Sequence, residues 1–232
     1  MHIFYQPEIE EQLFLSDEEA KHASRVLRLN IGDKILVYNG KGGIFTCEIS
    51  SSRGKLVHIS ILEKKQLKRD REFWLHIAIS PTKNINRFEW FLEKATEIGI
   101  DEITPILCER SERKIINNER LERILVSAIK QSKNPYLPQL NNLMPFSAFI
   151  NSTKESNRFI AHCNNQNLLN LKTAYKINSD AIILIGPEGD FSLDEVNQAI
   201  KSNMQEINLG ASRLRTETAG VVACHTINLL NQ

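Results

Sequence analysis

The spacing of apolar residues changes once along the chain. From Phe73 onward, short apolar runs alternate with segments whose apolar residues return every three to four positions, the pattern of strands alternating with helices. Strands are expected at Leu75–Ile79, Glu102–Cys108, Arg158–Cys163, Ala181–Ile185 and Glu206–Leu209. Helices are expected at Asn86–Ile98, Asn118–Ser132, Leu168–Ala174, Ser192–Ser202 and Thr216–Leu230. In the first of these helices Phe88, Phe91, Leu92, Ala95 and Ile98 share one face, and Gly99 supplies the stop. The run Ala181–Ile185 is wholly apolar, as suits a parallel strand buried on both faces. The alternation predicts an α/β domain with a mainly parallel sheet. The last helix carries Ala219, Val221, Val222, Ala223, Ile227, Leu229 and Leu230 around most of its circumference. It should be covered on most sides, either as a core helix of a monomer or between its own sheet and a second subunit.

Before Phe73 the pattern differs. One helix is expected at Asp17–Leu29, with Ala20, Ala23, Val26, Leu27 and Leu29 on its buried stripe. Strands follow at Lys34–Tyr38, Ile44–Ile49 and Val57–Leu62, the first two joined by the turn cluster Asn39-Gly-Lys-Gly-Gly43. The polar run Glu63–Glu72 reads as a linker. The chain thus divides into a small, mostly β domain over residues 1–70 and an α/β domain over 73–232.

Composition narrows the classes. Hydrophobic residues make up 41% and charged residues 25% of the 232, as in ordinary globular domains, which excludes disorder and coiled coil. The net charge of +1 announces no nucleic-acid partner. Its distribution says slightly more: Lys64, Lys65, Lys68, Arg69 and Arg71 form a basic run, broken within its last four residues only by Asp70. Cys47, Cys108, Cys163 and Cys224 are widely spaced, which suits neither zinc nor a disulfide framework and fits a reducing cytoplasm. No His/Cys/carboxylate cluster has metal-ligand spacing. No apolar run is long enough to span a membrane, and the N-terminus does not read as a signal peptide.

Two segments carry chemistry. Ile185-Gly-Pro-Glu-Gly-Asp-Phe-Ser192 follows the most buried strand and precedes a helix. Its glycines and proline make a tight loop at the carboxyl end of a strand, the edge where open α/β sheets bind ligands. Ser192 and Glu195 form a capping box for the next helix. The spacing fits neither a Walker loop nor a dinucleotide fingerprint. The second segment, Leu209-Gly-Ala-Ser-Arg-Leu-Arg-Thr-Glu-Thr-Ala219, also joins a strand to a helix. Gly210 permits close backbone approach or a positive φ. Arg213 and Arg215 offer donors for phosphate or base contacts, and Glu217 falls in the first turn of the helix, where negative charge is favoured. Taken singly, the first segment could be an ordinary turn and the second a solvated loop with a dipole-compensating acid.

Together the two segments resemble the knotted SPOUT-type RNA methyltransferases, and within them the branch that makes N3-methyluridine in small-subunit ribosomal RNA. The resemblance runs through nearly the whole chain. His22-x-x-x-Val26-Leu-Arg28 with Gly32-Asp33 is similar to that branch's RNA-binding domain, and Lys83 with Glu93-Lys-Ala-Thr-Glu-Ile-Gly99 to its first methyltransferase motif. Lys130-Gln-Ser132 with Pro138 resembles its Glu-Gln-Ser motif, but Lys130 replaces the usual Glu and Asn134 a common basic residue.

The resemblance implies a trefoil-knotted parallel-sheet methyltransferase domain preceded by a PUA-like β-barrel. It implies S-adenosylmethionine held by Ile185, Gly186, Pro187, Gly189, Leu209, Gly210, Leu214, Thr218 and Ala219, and a homodimer with its site near the subunit interface. It implies small-subunit rRNA, naked or in an assembled subunit, as substrate, with neither metal nor membrane as partner. Methyl transfer to uracil N3 needs a proton removed or charge on O2 and O4 stabilised. Arg215 is the first choice for the electrostatic role, Glu217 for orienting it or acting on the proton, and Glu188 is a second carboxylate. His22, Arg25 and Arg28 would grip flanking phosphates, joined by Lys83, Arg110 and Arg113. Two rivals stand beside this reading: a non-enzymatic RNA-binding protein of ribosome assembly, and an α/β enzyme acting on a small nucleotide.

Overall fold

A computed structural model describes residues 1–53, 56–69, 71–152, 157–163 and 168–232. It divides into two compact units, Met1–Asp70 with Ile129–Leu137, and Arg71–Ala128 with Pro138–Gln232.

The first unit is built on a four-stranded sheet in the order β1 (Ile3–Tyr5), β2 (Lys34–Tyr38), β3 (Gly43–Arg53) and β4 (Leu56–Gln66). β1 pairs parallel with β2, and the other pairings are antiparallel. Alternate residues point to one face, so Ile35 and Val37, Phe45, Cys47 and Ile49, and Val57 and Ile59 enter one core with Phe4, Ile9 and Leu15. The supposed linker begins late, because Glu63–Gln66 continue β4 against Gly43–Thr46. Asp70 lies outside the described residues.

The helix expected over Asp17–Leu29 is shorter. Ser16 caps α1 (Asp17–Lys21) by accepting from Glu19 N. The chain then widens into a π turn over His22–Val26, closed by Leu27 N donating to His22 O at 3.0 Å. The wider turn keeps Ala20 and Ala23 in the core but swings Val26 out to 67% exposure. Arg28, at φ +53°, ends the segment.

Residues 129–137 join this unit through contacts far apart in sequence. Lys130 Nζ lies 2.6 Å from Glu19 Oε1. Gly42 N donates to Pro135 O, Leu137 N to Gly40 O, and the Tyr136 hydroxyl to Leu67 O. Lys130, the departure from the motif, is therefore an ion-pair partner here.

The second unit holds a parallel sheet in the order β10 (Leu169–Asn170), β12 (Gln205–Asn208), β9 (Asn157–Ala161), β11 (Ala181–Ile185), β5 (Leu75–Ile79), β6 (Glu102–Leu107) and β7 (Gln139–Leu140), with β8 (Met144–Pro145) also on β6. β5 and β11 are buried at every residue, as the uninterrupted apolar run of β11 required, and β5 buries His76 as well. The helices are α2 (Ile85–Ile98), α3 (Asn118–Ser132, its end within the first unit), α4 (Phe146–Ser152), α5 (Leu171–Ala174), α6 (Leu193–Lys201) and α7 (Thr216–Leu230). Leu168–Ala174, expected as one helix, is instead the strand β10 followed by the four-residue α5. β1, β7, β8 and α4 had no counterpart in the sequence reading.

α7 lies on α2, β5 and β11. The two helices meet in register, one contact per turn. A Cβ on Gly220 would come within 2.6 Å of the Phe91 ring. One turn on, Cys224 Sγ donates to Ala95 O at 3.7 Å, and the next turn brings Asn228 Nδ2 3.1 Å from Gly99 O. Positions 91, 95 and 99 thus meet 220, 224 and 228 in the same order, so α2 and α7 run parallel.

Candidate functional site

The site lies in the second unit, at the carboxyl ends of β9, β11 and β12. After β11 the chain turns sharply: Asp190, at φ +62°, donates its N–H to Pro187 O at 2.9 Å, and Gly186 sits where a Cβ would meet Phe191 at 3.1 Å. The expected capping box is present, with Ser192 Oγ accepting from Glu195 N and Glu195 Oε2 from Ser192 N. Glu195 Oε1 also accepts from Glu109 N at 2.8 Å, which fastens this loop to the one after β6.

After β12, Asn208 Oδ1 accepts from Gly210 N at 3.1 Å and from Asn170 Nδ2 at 2.9 Å. Gly210 holds φ +125° with open space where a Cβ would be, so its backbone faces the cleft unobstructed. The two loops then join: Thr216 Oγ1 donates to Gly186 O at 3.0 Å in a buried bond. Between them opens a cleft of about 920 Å³.

Of the expected cofactor residues, Ile185, Gly186, Pro187, Leu209, Gly210, Leu214 and Ala219 line the cleft, whereas Gly189 and Thr218 do not. Of the expected catalytic residues, Arg215 and Glu188 line it. Arg215 is exposed and forms the N-cap position of α7 without a side-chain cap bond. Glu188 Oε1 accepts from Lys83 N at 2.9 Å. Glu217 lies elsewhere. It sits on the α2-facing side of α7, its side chain only 8% exposed, with Oε1 3.8 Å from Arg87 Nε. Its other oxygen, Oε2, is buried without a hydrogen-bond partner.

The cleft has a third wall that the sequence reading did not single out, formed by His162, Cys163, Asn170 and Lys172. His162 Nε2 meets Glu206 Oε1 at 3.0 Å. Asp190 Oδ2 accepts from Cys163 N at 2.9 Å and Oδ1 from Phe191 N at 2.8 Å. The one available signal was topological: β9 lies between β11 and β12, so its own carboxyl end must open into the same crevice.

The expected RNA contacts fall in two groups. In the first unit Arg25 and Arg28 are exposed, while His22 is half-buried with its ring 6.0 Å from that of Phe4. In the second unit the three cations hold loops together. Arg110 donates to Gly189 O at 2.9 Å, and Arg113 donates to Thr82 O at 3.0 Å and Lys83 O at 2.7 Å. Lys83 Nζ lies 2.7 Å from Glu112. That hydrogen bond and charge, with a smaller push from Glu188, raise the Lys83 pKa above its ordinary value.

Residues 69–228 match the family model described as an RNA methyltransferase domain. The chain belongs to the RNA methyltransferase family. Residues 15–62 match the RNA methyltransferase PUA domain, so a PUA domain precedes an α/β parallel-sheet methyltransferase fold. Proteins named ribosomal RNA small subunit methyltransferase E are 30% identical in Buchnera aphidicola subsp. Acyrthosiphon pisum, over 90% of this chain and 85% of that protein, and 29% identical in Rickettsia conorii, over 93% and 88%. Among solved structures, one assigned as an rRNA-methyltransferase from Porphyromonas gingivalis superimposes with TM-score 0.92 at 40% identity, covering 100% of this chain and 98% of that one. A ribosomal RNA small subunit methyltransferase E from Neisseria gonorrhoeae, bound to S-adenosyl methionine, gives TM-score 0.85 at 25% identity, covering 100% and 98%. Among the described residues of this methyltransferase, no group of three or more His, Cys, Asp or Glu could hold a metal ion, and no helix is long and apolar enough to cross a membrane.

Proposed function

We propose that this chain transfers the methyl group of S-adenosylmethionine to N3 of a specific uridine in small-subunit ribosomal RNA. One observation carries the reading: in a chain of this family, both motif loops open into a single cleft and are joined there by Thr216 and Gly186. The cleft fits the cofactor. Backbone at Gly210, with open space where a Cβ would be, can approach a bound molecule closely. Glu188 and Asp190 both spend oxygens on backbone N–H groups, while Lys172, Arg213 and Arg215 line the cleft as cations able to meet a carboxylate. Ile185, Gly186, Pro187, Leu209, Gly210, Leu214 and Ala219 would hold the cofactor directly. Gly189 and Thr218 would support it from behind the lining.

When bound, the cofactor supplies a methyl group on a sulfonium, already a good leaving group, so orientation contributes much of the acceleration. Arg215, exposed at the start of α7, stabilises the negative charge that develops on the uracil oxygens as N3 gives up its proton. Glu188 lies within the cleft, beside Asp190, and is the carboxylate proposed to act there. The target uridine must leave its stack to enter. Arg25, Arg28 and His22 position the flanking RNA through its phosphates. Lys83, Arg110 and Arg113 add positive charge beside the loops they tie.

The remaining family features belong to the same reading. Residues 209–215 leave β12, on the outer side of β9, and pass Gly186 before α7 settles on β5 and β11, which supports a knotted path. The partly exposed Val221, Val222 and Leu229 on α7 support a homodimer. A cytoplasmic location fits an rRNA modifier of the type found in these bacteria.

The test is incubation with labelled S-adenosylmethionine and small subunits lacking their native modifications, with the modified nucleoside mapped by mass spectrometry. N3-methyluridine at one position is expected, with Arg215→Ala slowing turnover by about 10²–10³-fold. Label that enters no RNA, despite cofactor binding, would overturn the substrate.

A further inference from the structure

Glu217 sits in the motif loop-and-helix segment, yet the fold turns it away from the cleft. On a helix, residues 217 and 219 project about 200° apart. Ala219 lines the cleft, and Glu217 shares the side of Gly220 and Cys224, which meets α2. The in-register ladder between the two helices therefore continues one turn further: Gly220 faces Phe91, and Glu217 faces Arg87, four residues earlier on α2. The carboxylate is buried, one oxygen has no hydrogen-bond partner, and Arg87 lies beside the other at 3.8 Å. Arg87 itself is 41% exposed.

We infer that Arg87 and Glu217 are a positioning pair that sets the start of α7, and with it Arg215, rather than parts of the proton-transfer chemistry. This rests on the methyltransferase reading above for its kinetic consequence, but not for its geometry. The first turn of α7 has two tethers. Thr216 bonds to the Gly186 loop on one side, and Glu217 pairs with α2 on the other. Arg215 immediately precedes Thr216 and stands two residues before Glu217, and no cap bond from its own side chain fixes it. Removing the Arg87 charge leaves a buried carboxylate with no cation beside it, a costly state that favours movement of the helix start toward water. That movement displaces Arg215. A displacement of about 1 Å at a reacting group can cost up to about 100-fold in rate. At 3.8 Å the pair acts through charge and not through a shaped hydrogen bond, so lysine serves in place of arginine.

The test compares Arg87→Lys, Arg87→Met, Glu217→Gln and the double variant Arg87→Met/Glu217→Gln. Each is assayed for kcat and KM on small subunits, S-adenosylmethionine affinity by calorimetry, and exchange of the Ala219 amide, which donates to Arg215 O at 2.8 Å. Arg87→Met keeps the stem and removes the charge. It should lower kcat about tenfold or more, leave cofactor affinity nearly unchanged, and speed exchange at Ala219. Arg87→Lys and Glu217→Gln should stay within about threefold of the unaltered protein, and the double variant should recover most of what Arg87→Met loses. Wild-type turnover in Arg87→Met would overturn the pair. So would a folded Glu217→Gln that binds cofactor but does not turn over, since that would put the carboxylate in the chemistry. Should the unaltered protein methylate no RNA, the functional reading fails. The Ala219 exchange then decides the pair alone, with unchanged protection in Arg87→Met counting against it.

Discussion

At the scale of single residues, the four cysteines divide by where the fold puts them. Cys47, Cys108 and Cys224 are buried. Burial pushes the Cys47 thiol up to about 11, and pushes Cys224 up to about 12 against a partial pull from Arg71 and Asn228. Burial and the nearby Glu195 raise Cys108 as well. Cys163 is exposed on the third wall of the cleft. Since thiolate and access together govern reactivity, iodoacetamide at mildly alkaline pH should label Cys163 in the folded protein, and the other three only after unfolding. S-adenosylmethionine should slow that labelling by filling the cleft. Peptide mass spectrometry reads both, and labelling of Cys47 before Cys163 would contradict the assignment. The residues of the site were unevenly legible. Gly186, Gly210 and Arg215 announce themselves because a tight loop needs glycine and a charged donor stands out beside it. Glu217 looks equally functional in sequence, and only the register of two helices far apart in the chain shows that it faces Arg87. Cys163 and Lys172 carry no local signal, because a cleft wall made by a third strand end is a property of strand order.

At the scale of elements, Gly220 is a point of close approach between α7, α2 and β5. A methyl group there would lie 2.6 Å from Phe91 Cε2 and 3.0 Å from Ile79 Cδ1, both on buried side chains. Gly220→Ala gains helix propensity yet overpacks this contact, so it should destabilise the protein by about 1–3 kcal/mol. A urea titration would show a lower midpoint with an unchanged slope. A stabilised variant would mean that α2 yields more readily than its packing suggests. Elements that bury a full face were legible from their spacing: α2, α3, β5, β11 and α7 fall within one residue of expectation. β7, β8 and β10 have two residues each, too few to show a period. The π turn after Lys21 escaped for another reason: its residues suit an ordinary helix, and only the packing of Ala23 beside an outward Val26 reveals the extra residue in the turn.

At the scale of the whole molecule, the raised thiols tie stability to alkaline pH. The folded state keeps protons on Cys47 and Cys224 above the ordinary thiol value of 9.0, where the unfolded chain has begun to release them. The unfolded state then binds fewer protons, so stability is lost as pH rises from about 9 toward 11–12. Urea midpoints taken between about pH 8 and about pH 10.5 should fall, and fall less in Cys47→Ala. An equal slope in the variant would remove this thiol from the account. The division into units was legible only in part, because residues 129–137 join the first unit by contacts such as Gly42 to Pro135 that no local pattern foretells.

The covering of β5 and β11 by α7 also bears on how the chain is made. Synthesis runs from the N-terminus, and domains generally fold as units as they emerge. Here two strands buried at every residue pair across Leu75 and Ala181, and the helix that roofs them is translated after both. Until α7 is translated, β5 and β11 lack this cover. The second unit is therefore sealed late, by the helix that Arg215 precedes as N-cap, so a product truncated before α7 lacks this cover of its core.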